Sequence, residues 1–305
     1  MTATKWLNCR LRDLQTYLTE KAHTVCLPVI SRLLREHDYS LHANCKDEEG
    51  RSPVDRDAQF VYLKAQRAQF LQAGHPVLSI DTKKKELVGD FKNAGRIWSQ
   101  EAPRVNVHDF PSQGIGKAVP YGLYDIASNV GTVYVGQSAD TAEFAADNLA
   151  HWWEHERSQR FPEAACLLVH ADCGGSNGAR CKLFKQQIQE KLCDRFGIEV
   201  TVCHYPSGCS KWNPIEHRLF SEISKTWAGC PLRNFETVLE YLRETTTQTG
   251  LSVSAHLVSE IYQTGLKVTD AVMASLNITY HAICPQWNYT IRPRIEACLA
   301  ETGNL

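Results

Sequence analysis

Hydrophobic residues in the first quarter of the chain recur at helical spacing. Leucines would share one face of a helix at residues 8–22, an apolar stretch predicts a second short helix at 27–37, and a more polar helix is predicted at 55–73. The segment 43–57 is polar and contains Gly and Pro, which is typical of a linker. The first two helices resemble a helix-turn-helix, although an ordinary helical hairpin would show the same pattern.

After residue 76 the pattern changes to short apolar runs that are typical of strands. Helices are predicted between the later strands, the first from Asp140 to about Arg157 and the second ending at about Phe196. The predicted strands lie at residues 77–80, 118–126, 132–135, 166–171 and 198–202, with a long insertion at about 93–117. Three consecutive strands followed by strand–helix crossovers are the element order of a ribonuclease-H-like fold. We therefore expect an α/β fold whose mixed sheet has three antiparallel and then two parallel strands, flanked by helices, with a small helical N-terminal segment.

This pattern divides the chain into four predicted parts. They are a partial helix-turn-helix-like DNA-binding segment at 1–42, a linker and connecting helix at 43–75, a ribonuclease-H-like core at 76–230, and a helical or irregular C-terminal extension at 231–305. The extension opens with an amphipathic helix near Val238. Packing against the core is the expectation for the extension, and contact with DNA or a second protomer is the alternative.

The composition of the chain excludes several classes of protein. Its 305 residues are 43% hydrophobic, and the apolar residues form neither a membrane span nor a signal peptide, so we expect a cytoplasmic protein. The formal net charge of −1 argues mildly against a dedicated nucleic-acid binder, although local basic patches could still bind DNA. The 12 cysteines are expected to be reduced thiols, because no Cys pair or Cys/His group has the spacing of a zinc site.

One later stretch predicts a helix that presents a carboxylate. Asn213 suits the N-cap position and Pro214 the first helical position, so Glu216 at the third position could close a capping box. Glu216 is also in line with Phe220 and Trp227 on the apolar face of that helix. A carboxylate on an apolar face is costly without a partner, and a metal ion is one such partner.

Two aspartates are predicted to join Glu216. Asp81 lies near the end of the first strand and Asp172 directly follows the fourth. Three unpaired carboxylates in one pocket would raise one another's pKa values, and Mg²⁺ or Mn²⁺ would relieve the repulsion through oxygen ligands. Two such ions can stabilise the attacking and leaving oxygens of a phosphoryl displacement.

Each carboxylate also has an alternative interpretation. Asp81 could pair with one of the lysines that follow it, Asp172 could be a turn residue before Gly174, and Glu216 could be only a helix cap. The glycine-rich loop after Asp172 lies where phosphates can bind, but it lacks the Gly-x-Gly-x-x-Gly spacing, and no P-loop is present. We therefore expect no nucleotide cofactor.

Several motifs resemble those of a known family. Asn213-Pro214-Ile215-Glu216 resembles the motif that bears the last acidic residue of mariner-like DDE transposases. Longer motifs are similar to the Rhodopirellula-type DDE transposases of bacterial insertion sequences, and the resemblance covers about residues 25–293. These motifs lie at residues 81–89, 91–96, 107–111, 174–178, 210–213, 216–220 and 287–293.

The resemblance implies a ribonuclease-H-like core in which Asp81, Asp172 and Glu216 hold two Mg²⁺ or Mn²⁺ ions. It implies cleavage of DNA strands at transposon ends with water as nucleophile, followed by attack of the freed 3′-hydroxyl on target DNA. The implied partners are double-stranded DNA and further copies of the chain on that DNA, without a membrane, in the bacterial cytoplasm at the nucleoid. The residues expected to contact DNA are Ser31, Arg32 and Arg35 of the second helix, and Lys83, Lys84, Lys85, Lys211 and Arg218 near the carboxylates.

Two departures from the family pattern change these expectations. Cys173 occupies a position where the family has glycine, and it would strain the loop beside Asp172 if the backbone there required a positive φ. Family members usually carry more helix-turn-helix sequence before the segment corresponding to Val25–His42, so a shortened copy with weaker recognition of transposon ends is expected. A ribonuclease-H-like nuclease without strand transfer and an inactive, DNA-binding relic are the alternatives.

Overall fold

A computed structural model describes residues 9–41 and 54–294 of the chain. The chain forms two compact units, Met1–Gly50 and Arg51–Leu305. Residues 43–53 of the predicted linker lie outside the described residues. No helix in the described ranges is long and apolar enough to cross a membrane.

The first unit contains the two predicted N-terminal helices, α1 (Leu11–Glu20) and α2 (Leu27–Glu36). The backbone N–H of Arg10 donates to Asp13 Oδ2 over 2.9 Å and fixes the start of α1. Pro28 lies in the first turn of α2, where its missing N–H costs nothing. Ile30 is the buried residue of α2. These contacts confirm both helices, while their helix-turn-helix function stays a prediction.

The second unit is built on one sheet, and its topology confirms the predicted fold class. The strands are β1 (Val77–Thr82), β2 (Glu86–Val88), β3 (Gly116–Asp125), β4 (Val130–Gly136), β5 (Cys166–Ala171), β6 (Glu199–His204), β7 (Ser252–Val258), β8 (Ile278–Tyr280) and β9 (Asn288–Ile291). At its centre the order is β4-β3-β1-β5-β6. β3 pairs antiparallel with both β4 and β1, whereas β1, β5 and β6 run parallel to one another. This is the ribonuclease-H-like arrangement.

Helices cover both faces of the sheet. They are α3 (Arg56–Gln72), α4 (Ala142–Trp152), α5 (Ser158–Arg160), α6 (Lys182–Ile188), α7 (Ser221–Thr226), α8 (Phe235–Glu244) and α9 (Asp270–Ala274). Leu78 and Ile80 of β1 point to the face covered by α4 and α6, which is packed with large apolar side chains such as Phe144 and Phe184. Alternation along the strand directs Ser79 and Asp81 to the opposite face, where α3 and α7 pack.

The C-terminal extension contains strands that the sequence analysis did not predict. β7 pairs parallel to β4 at one end of the sheet, and β9 pairs antiparallel to β6 at the other, with β8 beyond it. The predicted amphipathic helix is confirmed as α8, whose Val238, Leu239 and Leu242 are buried. The description of residues 231–305 as helical or irregular was therefore wrong for these three segments. β8 and β9 are too short for their alternation to identify them, and their partners are distant in sequence.

Candidate functional site

Two aspartates meet where neighbouring parallel strands end. β1 and β5 pair with Ile80 opposite Ala171. The residues that follow these two, Asp81 and Asp172, are therefore neighbours. Both aspartates line one cavity of about 670 Å³. Each is partly buried, and the Thr82 backbone N–H donates to Asp81 Oδ1 over 2.7 Å. Asp81 and Asp172 are therefore close together in the structure, as the sequence predicts.

Glu216 approaches the aspartates from a helical segment packed on the same face. A π-helical turn at Glu216–Phe220 precedes α7, and such turns are frequent at functional sites. Phe220, Ile223 and Trp227 are buried, which confirms the predicted apolar face. Gly122 is the β3 partner of Asp81, and a Cβ there would lie 2.6 Å from Phe220 Cε1. The absence of a side chain at Gly122 therefore allows this helical segment to approach the sheet beside Asp81.

Asn213 does not form the capping box that the sequence suggested. Its side chain is fully buried and bridges two strands: Nδ2 donates to Asp172 Oδ1 over 3.0 Å, and Oδ1 accepts from the Ser79 hydroxyl. The Ser79 hydroxyl accepts in turn from the Ile215 backbone N–H over 3.3 Å. A hydroxyl on β1 thus satisfies an N–H of the first helical turn, and Asn213 is left to orient Asp172. Ser79 precedes Asp81 by two positions, and residues at this spacing lie on the same face of a strand. This spacing is the feature of the sequence that places Ser79 beside the site.

The electrostatics of this group favour binding of a cation. Burial and, after it, the charge of Asp172 raise the pKa of Asp81 to about 8; the Glu216 charge and a side-chain hydrogen bond with Glu216 contribute in the same direction, while the Thr82 N–H bond opposes them. Burial also raises the pKa of Asp172, as does the Glu216 charge, while the Asn213 hydrogen bond lowers it. No basic side chain is among the main influences on either pKa. Asp81 and Asp172 are therefore raised by burial and by neighbouring carboxylates without a cation beside them, whereas Glu216 interacts with the charge of Lys83.

The donor atoms of the group suit a hard divalent cation, but their arrangement is not a closed set of ligands. Within residues 9–41 and 54–294, no three or more His, Cys, Asp or Glu side chains are placed to hold a metal ion together. Asp81 and Asp172 line the cavity described above, whereas Glu216 lines a second cavity with Lys83 and Trp227. Carboxylate oxygens are the ligands that Mg²⁺ and Mn²⁺ prefer. Side-chain rotation would be required to bring all three carboxylates to one ion.

The predicted DNA contacts near the carboxylates differ in accessibility. Lys84 and Lys85 are exposed, as are Lys211 and Arg218. Lys83 is only 8% exposed: its Nζ lies 3.4 Å from Glu86 Oε1 and 4.6 Å from the centre of the Trp227 ring. Burial lowers the pKa of Lys83, which the Glu86 charge opposes. Lys83 is therefore held by Glu86 and Trp227 at the wall of the cavity that Glu216 lines, and its contact with DNA stays a prediction.

The predicted DNA contacts in the first unit lie on α2. Arg32 and Arg35 are exposed and Ser31 is half-buried. Arg32 Nε lies 3.4 Å from Glu36 Oε1, one helical turn further on. The arginines are therefore accessible to a phosphate, and their role stays a prediction.

Cys173 does not have the strain expected from its replacement of glycine. Its φ is not among the positive values of the chain, and Gly175 has the left-handed conformation in this loop, with φ of 75°. Cys173 Sγ donates to the Tyr205 carbonyl over 2.9 Å, and burial raises the pKa of its thiol to about 11. The thiol therefore behaves as a protonated, packed group beside Asp172.

A second group of buried carboxylates lies near β4, β7 and α5. Arg160 Nη1 lies 2.7 Å from Asp125 Oδ2, and Arg160 Nη2 lies 3.4 Å from Glu156 Oε2. Glu156 also accepts from the Thr132 hydroxyl at 2.8 and 2.9 Å, and His256 Nε2 lies 3.8 Å from it. Burial raises the pKa of Glu156, but His256, Thr132 and Arg160 outweigh this effect, and the pKa is lowered.

Comparison of the sequence with family models decides the relationship of this chain. The model of the Rhodopirellula transposase DDE domain matches residues 1–293. The chain belongs to this transposase family. The family match confirms the resemblance found in the motifs around Asp81, Asp172 and Glu216.

Solved structures of the mariner transposase Mos1 are also similar to this member of the family. Its paired-end complex with the left transposon end is 14% identical, with 80% of this chain and 73% of that chain covered and a TM-score of 0.44. The paired-end complex with Mn is 12% identical, with 80% and 74% covered and a TM-score of 0.46. The strand transfer complex is 14% identical, with 80% and 72% covered and a TM-score of 0.46. A comparison with curated proteins finds no match.

Proposed function

We propose that this chain is a metal-dependent transposase that cleaves DNA at transposon ends and joins the freed 3′ end to target DNA. The observation that carries the proposal is the meeting of Asp81 and Asp172 at the ends of β1 and β5, with Glu216 close enough to raise the pKa of Asp81. A fold gains little stability from such a group, because each buried charge increases the cost of the others. Membership of the transposase family supplies the reaction class.

Asp81, Asp172 and Glu216 would hold a pair of Mg²⁺ or Mn²⁺ ions. When bound, the ions would supply charge stabilisation to the attacking and leaving oxygens of a phosphodiester. Asn213 orients Asp172 through the 3.0 Å hydrogen bond, and Ser79 holds Asn213 against the sheet. The Asp81–Asp172 cavity has room for a segment of one DNA strand. These residues therefore position the reacting linkage.

The DNA partner is assigned from the same surface and from the family. Lys84 and Lys85 are exposed just beyond the β1 strand end, where they could contact phosphates on either side of the cleaved linkage. Arg32 and Arg35 would contact DNA through α2. Self-association on the paired transposon ends, and action at the bacterial nucleoid, belong to the same proposal.

The test is cleavage of a duplex that carries the element's own end, with Mg²⁺ and with EDTA. The variants Asp81→Asn, Asp172→Asn and Glu216→Gln should each abolish cleavage. Glu222→Gln is the matched control, because Glu222 lies in the same helical region but pairs at the surface with Lys225 Nζ over 2.7 Å. Retained cleavage in all three site variants would contradict the assignment.

A second candidate function is DNA binding without catalysis. It is favoured by the lack of a closed three-ligand set among the described residues. It predicts salt-sensitive DNA binding with no Mg²⁺-dependent cleavage in any variant. The remaining alternative is a nuclease without strand transfer. A precleaved transposon end with a free 3′-hydroxyl distinguishes it from a transposase, because such a nuclease would not join this end to a target plasmid.

A further inference from the structure

The loop after Asp172 carries a buried amide without a partner. Asn177 is only 2% exposed, yet its Nδ2 has no hydrogen-bond acceptor among the described residues. Leaving a buried N–H donor unpaired costs about 1–3 kcal/mol. Asn177 lines the same cavity as Asp81 and Asp172. An unpaired donor therefore lies in the wall of the cavity that the two proposed metal ligands Asp81 and Asp172 also line.

The loop that holds Asn177 is fixed by its backbone. Ala179 N–H donates to the Cys173 carbonyl over 3.2 Å, and a Cβ at Gly178 would lie 2.6 Å from that same carbonyl oxygen. Ala179 packs against Trp287, a residue of the C-terminal extension that also lines the cavity. The position of the Asn177 amide is thus set by close packing, with the extension as its support.

The other groups at this end of the cavity are also suited to an anion. Arg180 is exposed and lines the cavity three residues after Asn177, and Ser207 lines the same cavity. An amide N–H and a guanidinium can only donate hydrogen bonds. Asp81, Asp140 and Asp172 line the same cavity and would repel an isolated anion. We therefore expect this cavity to bind a phosphate group of a DNA strand, and not a free phosphate ion.

The geometry points to a phosphodiester subsite formed by Asn177 and Arg180, in the cavity that Asp81 and Asp172 line. It holds a phosphate of the DNA strand adjacent to the linkage that is cleaved, and so fixes which linkage reaches Asp81 and Asp172. This inference rests on the proposed function, since it assigns the substrate's neighbouring phosphate. Recognition is of the backbone and carries no base preference.

The test is an NMR titration of the full-length chain in EDTA with the dinucleotide dTpdT, following the side-chain amide of Asn177. A second probe is the methylphosphonate analogue of dTpdT, which keeps the sugars and bases but lacks the negative charge. We expect dTpdT to shift the Asn177 Nδ2 resonances and the analogue to leave them unchanged. Equal shifts with both probes, or none with dTpdT, would overturn the subsite.

Variants extend the test to duplex DNA. Asn177→Asp should weaken metal-free binding of a 30-base-pair duplex by about tenfold, and Arg180→Ala should reduce the slope of log affinity against log salt by about one. Gln186→Glu and Arg195→Ala are matched controls, since they make the same charge changes at residues that do not line the cavity, one half-buried and one exposed. Unchanged binding in Asn177→Asp would also refute the subsite.

Failure of this inference can be distinguished from failure of the proposed function. If Asp172→Asn abolishes cleavage while Asn177→Asp binds DNA like the parent, the metal site stands and the subsite falls. If Asn177→Asp loses DNA binding while the carboxylate variants still cleave, the subsite stands and the metal site falls.

Discussion

The two groups of partly buried carboxylates on the sheet are balanced in opposite ways. Asp125 and Glu156 share Arg160, and the pKa of Glu156 is lowered. Asp81 and Asp172 have raised pKa values, to which burial and carboxylates contribute most. One group is electrically complete within the protein, and the other is not.

This difference separates structural carboxylates from functional ones. A fold can keep a buried charge at acceptable cost only if a partner compensates it, as Arg160 does. Where buried carboxylates at a cavity have no cationic partner in the protein, a bound ligand would explain why they are there. Shifted pKa values cluster at functional sites for this reason. Burial alone would not have separated the two groups, because Asp125 is the most buried carboxylate among them.

The largest expected effect concerns activity. Replacing Asp172 by Asn removes one charge from the uncompensated group and should lower the rate of end cleavage by more than about a thousandfold. Glu156→Gln should leave the rate per folded molecule within about twofold, because Glu156 has no place in the cavity. Gel-based cleavage kinetics, normalised to folded protein, measure both. A comparable loss in Glu156→Gln would erase the distinction between the groups.

The next effect concerns stability in the compensated group. Arg160→Ala removes the cation that Asp125 and Glu156 share, leaves the buried Asp125 carboxylate without its ion-pair partner, and should lower the free energy of unfolding by about 3 kcal/mol. Arg195→Ala removes an exposed pair with Glu154, whose atoms are 2.8 Å apart, and should cost less than about 1 kcal/mol. Urea unfolding gives both values. Equal costs would mean that Arg160 does not compensate its carboxylates.

In the group of Asp81 and Asp172, removing a charge is expected to raise stability, whereas Arg160→Ala is expected to lower it. The folded pKa of Asp81 is about 8 and its ordinary value is 3.8, so the folded state binds more protons between these pH values and loses stability as pH rises through them. At pH 8 in EDTA, Asp81→Asn should therefore have a free energy of unfolding about 2 kcal/mol larger than that of the parent, and it should unfold at a higher temperature. The difference should vanish below pH 4. A less stable variant at pH 8 would contradict the assigned pKa.

A smaller effect is expected at the bridging amide. Asn213→Ala removes the hydrogen bond to Asp172, leaves the Ser79 hydroxyl without its acceptor, and should lower stability by about 1 kcal/mol. Because the Asn213 bond lowers the pKa of Asp172, its loss should move the acidic limb of the pH–rate profile to higher pH. Asn234→Ala is the control, since Asn234 caps α8 and is remote from Asp172 in sequence. A stability loss without the shift would reduce Asn213 to a packing residue.

Much of the fold was predictable because its local signals agree. Apolar runs delimit β1 and β5, and parallel pairing then brings the residues that follow to one edge, which is why Asp81 and Asp172 were found together. The Asn213 bridge and the outer strands β7, β8 and β9 were missed. They depend on partners far away in sequence, and a buried asparagine that binds across strands has the same local pattern as a helix cap. The strain expected at Cys173 failed because Gly175, not Cys173, adopts the left-handed conformation.

The most direct test of the proposed metal site is calorimetric titration of the full-length chain with Mn²⁺ at pH 7, in buffers of different ionisation enthalpy. We predict saturable binding with release of about one proton, because Asp81 must lose its proton to bind the ion. Asp81→Asn, Asp172→Asn and Glu216→Gln should each weaken binding at least about tenfold, while Glu156→Gln should bind like the parent. Binding of Mn²⁺ that is unchanged in the three site variants would contradict the account.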